Sequence, residues 1–285
     1  MTERAVVFNC GGDSLVGILH EPQGLAHDVA ILVVVGGPQY RVGSHRQFVL
    51  MARQFASAGY GVLRFDYRGM GDSTGGTRSF DEVGDDIRSA IDTILAELPS
   101  VRGVVAFGLC DAASAALIYN GSDPRVRALI LANPWVRSDV GEARARLRHY
   151  YGQRLLTRAF WAKLVSGRVA AADSLGGLVS VVRQGHRAVS APHAGRSHFI
   201  DRMLTGLAGM DCPLLLLMSE RDLTAREFDD LCRTSRSWGT LMSSPEVRRC
   251  DILGADHTFS APESLQSAVS ETLQWLQDAV GQGSK

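Results

Sequence analysis

The 285-residue sequence carries no surplus of charge: 30 Lys and Arg stand against 30 Asp and Glu. Nothing global therefore marks the chain for nucleic acid or for an anionic membrane surface. No stretch approaches the roughly 20 apolar residues of a membrane span. The opening Met1-Thr2-Glu3-Arg4 runs into a strand pattern rather than the apolar region of a signal peptide. Paired cysteine spacing is missing as well. Cys10, Cys110, Cys212, Cys232 and Cys250 are odd in number and scattered, without a Cys-x-x-Cys. That argues against a zinc site or a disulfide framework and for reduced thiols, hence a cytoplasmic location. The histidines at 149, 186, 193 and 198 share a segment, but their spacing resembles no metal site. No metal or other cofactor is expected. Internal repeats and low-complexity tracts are absent, and only Gly281–Lys285 reads as disordered. What remains is a globular composition, 45% hydrophobic and 21% charged, enough for a sizeable core. The length suits one large α/β domain with an insertion, or two smaller domains.

Short apolar runs alternate with amphipathic stretches. Val6–Cys10 and Leu15–His20 read as a hairpin around Gly11-Gly12-Asp13. Val29–Val35 is a continuous apolar run, the mark of a strand buried on both faces, and it ends at Gly36-Gly37-Pro38-Gln39. Ser44 is a candidate N-cap for a helix to about Ala58, with Phe48, Met51, Ala52 and Phe55 on one face. Val62–Phe65 is the next buried strand, followed by a Gly-rich turn over 66–73 and an amphipathic helix over Phe80–Leu98. Further strands are expected at 104–109, 126–132, 213–218 and 247–252, with helices near 224–237 and 262–280. This rhythm predicts a mostly parallel, doubly wound sheet. It breaks between Arg137 and Gly209, where no strong strand occurs and helical patterns dominate, notably over Ala143–Val165. The expected organisation is a core of 1–136 and 210–285 with a helical lid at 137–209.

The chemistry concentrates where Val104–Leu109 ends. Gly108-Leu109-Cys110-Asp111-Ala112 leads at once into an Ala-rich segment of good helix propensity. Strand, sharp turn and helix form the context of a nucleophile elbow. Small residues at 108 and 112 let strand and helix close around Cys110, at a helix N-terminus whose dipole favours an anion. A thiol nucleophile needs a base, an orienting acid and donors for the oxyanion. His257, in the loop after the last strand, is the candidate base. Asp222, following the strand that ends at Met218, is the candidate acid, with Glu220 and Asp256 as weaker rivals. The order 110, 222, 257 is that of nucleophile, acid and histidine in α/β-hydrolases. The oxyanion donors would be the backbone N–H of Asp111 and one from the turn at 36–39. Pro38 has no N–H, which leaves Gly37 or Gln39, with Gly37 favoured. Gln39 and Leu109, flanking these groups, are the candidate substrate contacts. Asp66, Arg68 and Ser73 read as residues that pin the neighbouring loop rather than react.

Taken together, Asp66-x-Arg68-Gly69-x-Gly71-x-Ser73, the Gly-Gly-Pro turn, the elbow, Asp222 and His257 resemble the α/β-hydrolase superfamily over the whole chain except the lid. More narrowly, Gly36-Gly37-Pro38-Gln39-Tyr40-Arg41-x-Gly43-Ser44-His45-Arg46-Gln47-Phe48 with Gly108–Ala112 is similar to the first of the two hydrolases associated with the exosortase A system. That resemblance implies the α/β-hydrolase fold and a setting among bacterial exopolysaccharide and protein-sorting genes, without naming a substrate. The pattern departs from the superfamily at three places. The usual His of the His-Gly turn is Val35 or Gly36 here, Ala112 replaces the second glycine of the elbow, and cysteine stands where serine is usual. Dienelactone hydrolases are a precedent for Cys-His-Asp on this fold.

A thiol beside a histidinium and a helix N-terminus forms an ion pair that attacks thioesters and activated esters; the neighbouring Asp111 carboxylate opposes the thiolate. The expected activity is hydrolysis of an ester or thioester. Acyl transfer to a sugar hydroxyl through the same acyl-cysteine, or a catalytically silent fold used for binding, are the alternatives. The segment 137–209 holds twelve Arg and Lys against four Asp and Glu, a basic lid on an acidic body. It is either a packing feature or an attraction for an anionic small molecule or acyl carrier. No nucleic-acid partner is expected, and oligomeric state is left open.

Overall fold

The computed structural model describes residues 2–36, 39–137 and 197–279. Contacts divide the chain into two units, Met1–Val136 with Phe199–Lys285, and Arg137–His198. The helical pattern at 143–165 and most of the basic segment expected as a lid lie outside the described residues. Eight apolar runs become strands β1 (Glu3–Cys10), β2 (Asp13–His20), β3 (Val29–Val34), β4 (Gly61–Asp66), β5 (Gly103–Leu109), β6 (Val126–Ala132), β7 (Leu214–Ser219) and β8 (Val247–Ile252). They form one sheet in the order β1-β2-β4-β3-β5-β6-β7-β8. The β1–β2 and β2–β4 pairs are antiparallel, and every pair from β4 onward is parallel. The mostly parallel, doubly wound sheet expected from the strand–helix rhythm is what forms.

Strands β3, β4, β5 and β7 are buried at every position, as continuous apolar runs require when both faces are covered. On one face, helices α1 (Gln47–Ser57) and α7 (Pro262–Ala279) bury Phe48, Met51, Phe55, Val269, Trp275 and Leu276. The other face carries α2 (Gly84–Glu97), α3 (Asp111–Tyr119), α4 (Ser197–Ala208), α5 (Leu223–Thr234) and α6 (Arg236–Met242). From Phe199 onward α4 packs into this core, with Phe199 edge-on to Phe80 and Met203 fully buried. Arg202 is paired with Asp81 at 3.1 Å. Among the described residues no helix is long and apolar enough to cross a membrane.

Three element boundaries differ from the sequence expectation, each for a local reason. Helix α1 starts at Gln47, not after a Ser44 cap: Arg46 turns left-handed (φ 65°), and the Gln47 side chain returns to accept the His45 N–H at 3.0 Å. The segment expected as one helix over 80–98 is a 3-10 turn at Phe80–Glu82 followed by α2. The helix expected over 224–237 is two helices, because Ser235 is extended and breaks it.

Candidate active site

Because β3, β5, β6, β7 and β8 are parallel, their C-terminal ends meet at one edge of the sheet, where ligands of open α/β folds bind. Strand β5 delivers Cys110 there. Its backbone is held at φ 62°, ψ −125°, a region that costs a non-glycine residue about 1–3 kcal/mol. Four backbone hydrogen bonds hold it. The Cys110 N–H donates to the Ala132 carbonyl (2.9 Å), and its own carbonyl accepts from Ala113, Ser114 and Trp135 (3.1, 3.3 and 3.1 Å). A Cβ at Gly108 would stand 2.4 Å from the Ala112 carbonyl oxygen, so this glycine is what lets strand and helix close on the turn. The thiol is half-buried.

The imidazole and the carboxylate come from the two strands beyond. His257 Nδ1 lies 2.8 Å from Asp222 Oδ2, and the same ring is hydrogen-bonded to Cys110. The Asp222 contact first, and the Cys110 contact second, push the imidazole's pKa up to about 10 against the opposing effect of burial. Asp222 is buried, which by itself would raise its carboxyl. The His257 hydrogen bond and charge, with N–H groups donated by Thr224 (3.2 Å) and Ala225 (3.1 Å), outweigh burial and hold it below the ordinary value. Asp222 thereby caps α5. The two rival carboxylates are engaged elsewhere. Glu220 accepts the Gly254 N–H at 2.7 Å, and Asp256 accepts Thr258 and Ser260 N–H groups within its own loop. Cys110, His257 and Asp222 thus come together.

On the oxyanion side Gly37 and Pro38 lie outside the described residues. Gly36 is described, and its position is informative. A Cβ there would stand 1.9 Å from Asp111 Oδ1 and 2.7 Å from the Ala112 nitrogen. The turn after β3 therefore lies directly against the start of α3, the approach that an N–H pair from turn and helix needs. Gln39 Oε1 is buried with no hydrogen-bond partner among the described residues. Leu109, expected as a substrate contact, has its side chain buried in the core cluster that holds Phe48 and Phe107.

Asp66, Arg68 and Ser73 pin the loops beside the site. Asp66 is fully buried, accepts the Arg41 N–H (2.8 Å) and the Asp72 N–H (3.1 Å), and is ion-paired to the Arg41 guanidinium. Arg41 also reaches Asp72 at 2.9 Å and lies over the Tyr40 ring, so the chain just after Gln39 is clamped from below. Arg68 forks onto Asp86, and Ser73 Oγ accepts the Val16 N–H. Sequence reading missed Asn133, the residue after β6. It is fully buried at φ 45°, donates to Ser219 Oγ (2.9 Å) and the His257 carbonyl (3.0 Å), and accepts the Ser219 N–H (2.8 Å). The available signal was a polar residue at the end of an otherwise apolar buried strand. Among the described residues no group of His, Cys, Asp and Glu could hold a metal ion.

Comparison with known proteins follows this geometry. The family described as serine aminopeptidase, S33, matches residues 27–182. No curated protein sequence matches. Among solved structures, a Pyrococcus furiosus esterase is 15% identical with a TM-score of 0.63, covering 98% of this chain and 93% of its own. A dienelactone hydrolase from Anabaena variabilis is 16% identical, with a TM-score of 0.61 and coverage of 98% of both chains. The esterase domain of a Rhodothermus marinus protein is 17% identical, with a TM-score of 0.61, covering 99% of this chain and all (100%) of that one. At these identities the likeness concerns the fold, and the fold is that of the α/β-hydrolases.

Proposed function

The chain belongs to the serine aminopeptidase, S33, family of α/β-hydrolases, and from that premise we propose that it is a cysteine-dependent hydrolase of esters or thioesters acting through Cys110, His257 and Asp222. The observation that carries this reading is the continuous line from the Cys110 thiol through the His257 ring to the buried Asp222 carboxylate, 2.8 Å from Nδ1. The family's name marks a serine nucleophile, and here the elbow carries cysteine.

In the proposed reaction the thiolate attacks the acyl carbon, forming a C–S bond while the carbonyl π pair moves to oxygen. The resulting oxyanion is held by the Asp111 N–H and the Gly37 N–H. When the tetrahedral intermediate collapses, the bond to the leaving alkoxide or thiolate breaks and His257 supplies its proton. Water then adds to the acyl-cysteine, giving one proton to His257 and releasing the acid and the thiol. Asp222 holds the ring with Nδ1–H facing it throughout, leaving the other nitrogen for this traffic. Gln39, whose buried Oε1 lacks a protein partner, is the group proposed to donate to or accept from the acyl portion.

The proposed substrate is a small molecule or carrier-linked acyl group of exopolysaccharide metabolism. This rests on the resemblance of 36–48 and 108–112 to the exosortase-associated hydrolase. The basic excess over 137–209 favours an anionic acyl group or carrier, whose advantage over a neutral analogue should shrink as salt shortens the Debye length from about 10 Å at 0.1 M to about 3 Å at 1 M. Intact-mass analysis after exposure to a panel of esters and thioesters tests the central reading. An acyl adduct that maps to Cys110 and clears with time supports hydrolysis, and one that waits for a sugar hydroxyl turns the reading to acyl transfer. No adduct with any member, in a protein whose Cys110 reacts no faster than its other thiols, leaves a binding protein on a hydrolase fold.

A further inference from the structure

The segment Ala132-Asn133-Pro134-Trp135 touches all three parts of this site. The Ala132 carbonyl accepts the Cys110 N–H, and the Trp135 N–H donates to the Cys110 carbonyl. The Asn133 carboxamide holds Ser219, whose carbonyl in turn accepts the Asp222 N–H (3.3 Å), and it donates to the carbonyl of His257 itself. We infer that Asn133 is a positioning residue: its side chain ties the backbone of His257 to the end of β7, fixing the imidazole against Asp222 and Cys110. This rests on the proposed roles of those three residues.

The chemistry of the position admits few residues. The backbone at φ 45° is left-handed, where asparagine and glycine are tolerated and β-branched or bulky residues are not. The side chain is fully buried, so every polar atom needs a partner. A carboxamide offers two N–H donors and an acceptor. Two acceptors (Ser219 Oγ and the His257 carbonyl) and one donor (the Ser219 N–H) surround it. An aspartate has the same shape but, when ionised, no donor; it would face the His257 carbonyl with a negative charge. Protonated, it regains one O–H for that carbonyl. A glycine keeps the backbone and loses every side-chain contact.

The test is the rate of Cys110 alkylation by iodoacetamide between pH 5 and pH 9 in the full chain, with circular dichroism and thermal unfolding as the check on folding. The parent, Asn133→Asp, Asn133→Gly and His257→Ala are compared. We expect Asn133→Asp to slow Cys110 about tenfold at pH 8, the scale of one lost hydrogen bond, and to recover relative to the parent as the pH falls and the new carboxyl takes up a proton. Asn133→Gly should slow it by a similar factor with no such recovery. A role confined to stability would lower the unfolding temperature and leave the ratio of Asn133→Asp to parent flat with pH; that result overturns the proposal. So do folded Asn133 variants that react at the parental rate while His257→Ala is slow, an outcome that leaves the Cys110–His257 pair standing. If His257→Ala itself reacts like the parent, the pair falls and this inference falls with it. Should Asn133→Gly not fold, Asn133→Asp alone decides through its pH-dependent ratio.

Discussion

The two halves of the site are built by different means. On the nucleophile side β5 is buried along its whole length, and Cys110 is set by backbone packed on backbone, with Gly108 and Gly36 leaving no space for a side chain. On the base side β8 is the last strand of the sheet and is only partly buried. There His257 is set by side-chain hydrogen bonds: Asp222 to its ring, Asn133 to its carbonyl, and the His45–Thr258 contact at 2.6 Å beside it. Steric closure gives a nucleophile that cannot move without unfolding its surroundings. Hydrogen bonding gives a base that a single polar substitution can misplace while the fold survives. Substitutions on the two sides should therefore fail in different assays.

The largest expected effect lies on the packed side. Gly108→Val places carbon against the Ala112 carbonyl, where the contact is backbone and has no rotamer to yield. We expect a loss of about 3 kcal/mol or more in urea unfolding; a variant within 0.5 kcal/mol of the parent would show that sterics do not set the elbow. Next comes reactivity across the divide. Burial pushes Cys212 and Cys250 up to about 11 and Cys232 to about 12, and raises Cys10 as well. Alkylation with peptide mapping at pH 8 should find Cys110 the fastest of the five thiols. His257→Ala should slow it at least about tenfold with unfolding temperature near the parent's. Equal rates at Cys110 and Cys250 would sink this expectation.

A smaller effect has the opposite sign. Cys110→Gly removes the cost of φ 62° and should raise stability by about 1 kcal/mol, while abolishing acyl-adduct formation. A loss of stability would mean the thiol's packing outweighs its strain. The smallest effect is the pH dependence of the base side. Folded His257 keeps its proton up to about 10, whereas an unfolded histidine releases it near about 6.5. The Asp222 contact therefore stabilises most below about 6.5, and its contribution is lost as pH rises through 10. The difference in unfolding midpoint between parent and His257→Ala should shrink over that window. A difference that grows with pH would reverse the assignment of the proton. The ring is about one-third exposed (32%), so solvent screening keeps the effect modest.

Much of the packed side was legible in the sequence, and less of the hydrogen-bonded side. The strands announce themselves as apolar runs, and the elbow as Gly-x-Cys-x-Ala before an Ala-rich helix, because local sterics write these patterns into neighbouring residues. Asp222 and His257 could be named from chain order and from their loops after strands. Asn133 could not, since its partners lie 86 and 124 residues away and nothing local distinguishes it from a loop asparagine. The break at Ser235 and the left-handed Arg46 were hidden for the same reason. Each depends on packing that a local reading of propensity does not contain.

Asp222 answers to two masters. The start of α5 needs only an oxygen to accept the Thr224 and Ala225 N–H groups, and asparagine serves a helix start as well as aspartate. The imidazole needs the negative charge. One transition in the codon, aspartate to asparagine, would leave the helix capped and silence the ring beside it. In evolutionary terms a descendant that has given up chemistry for binding lies a single neutral-looking step away, with its melting curve and its fold giving no sign of the change.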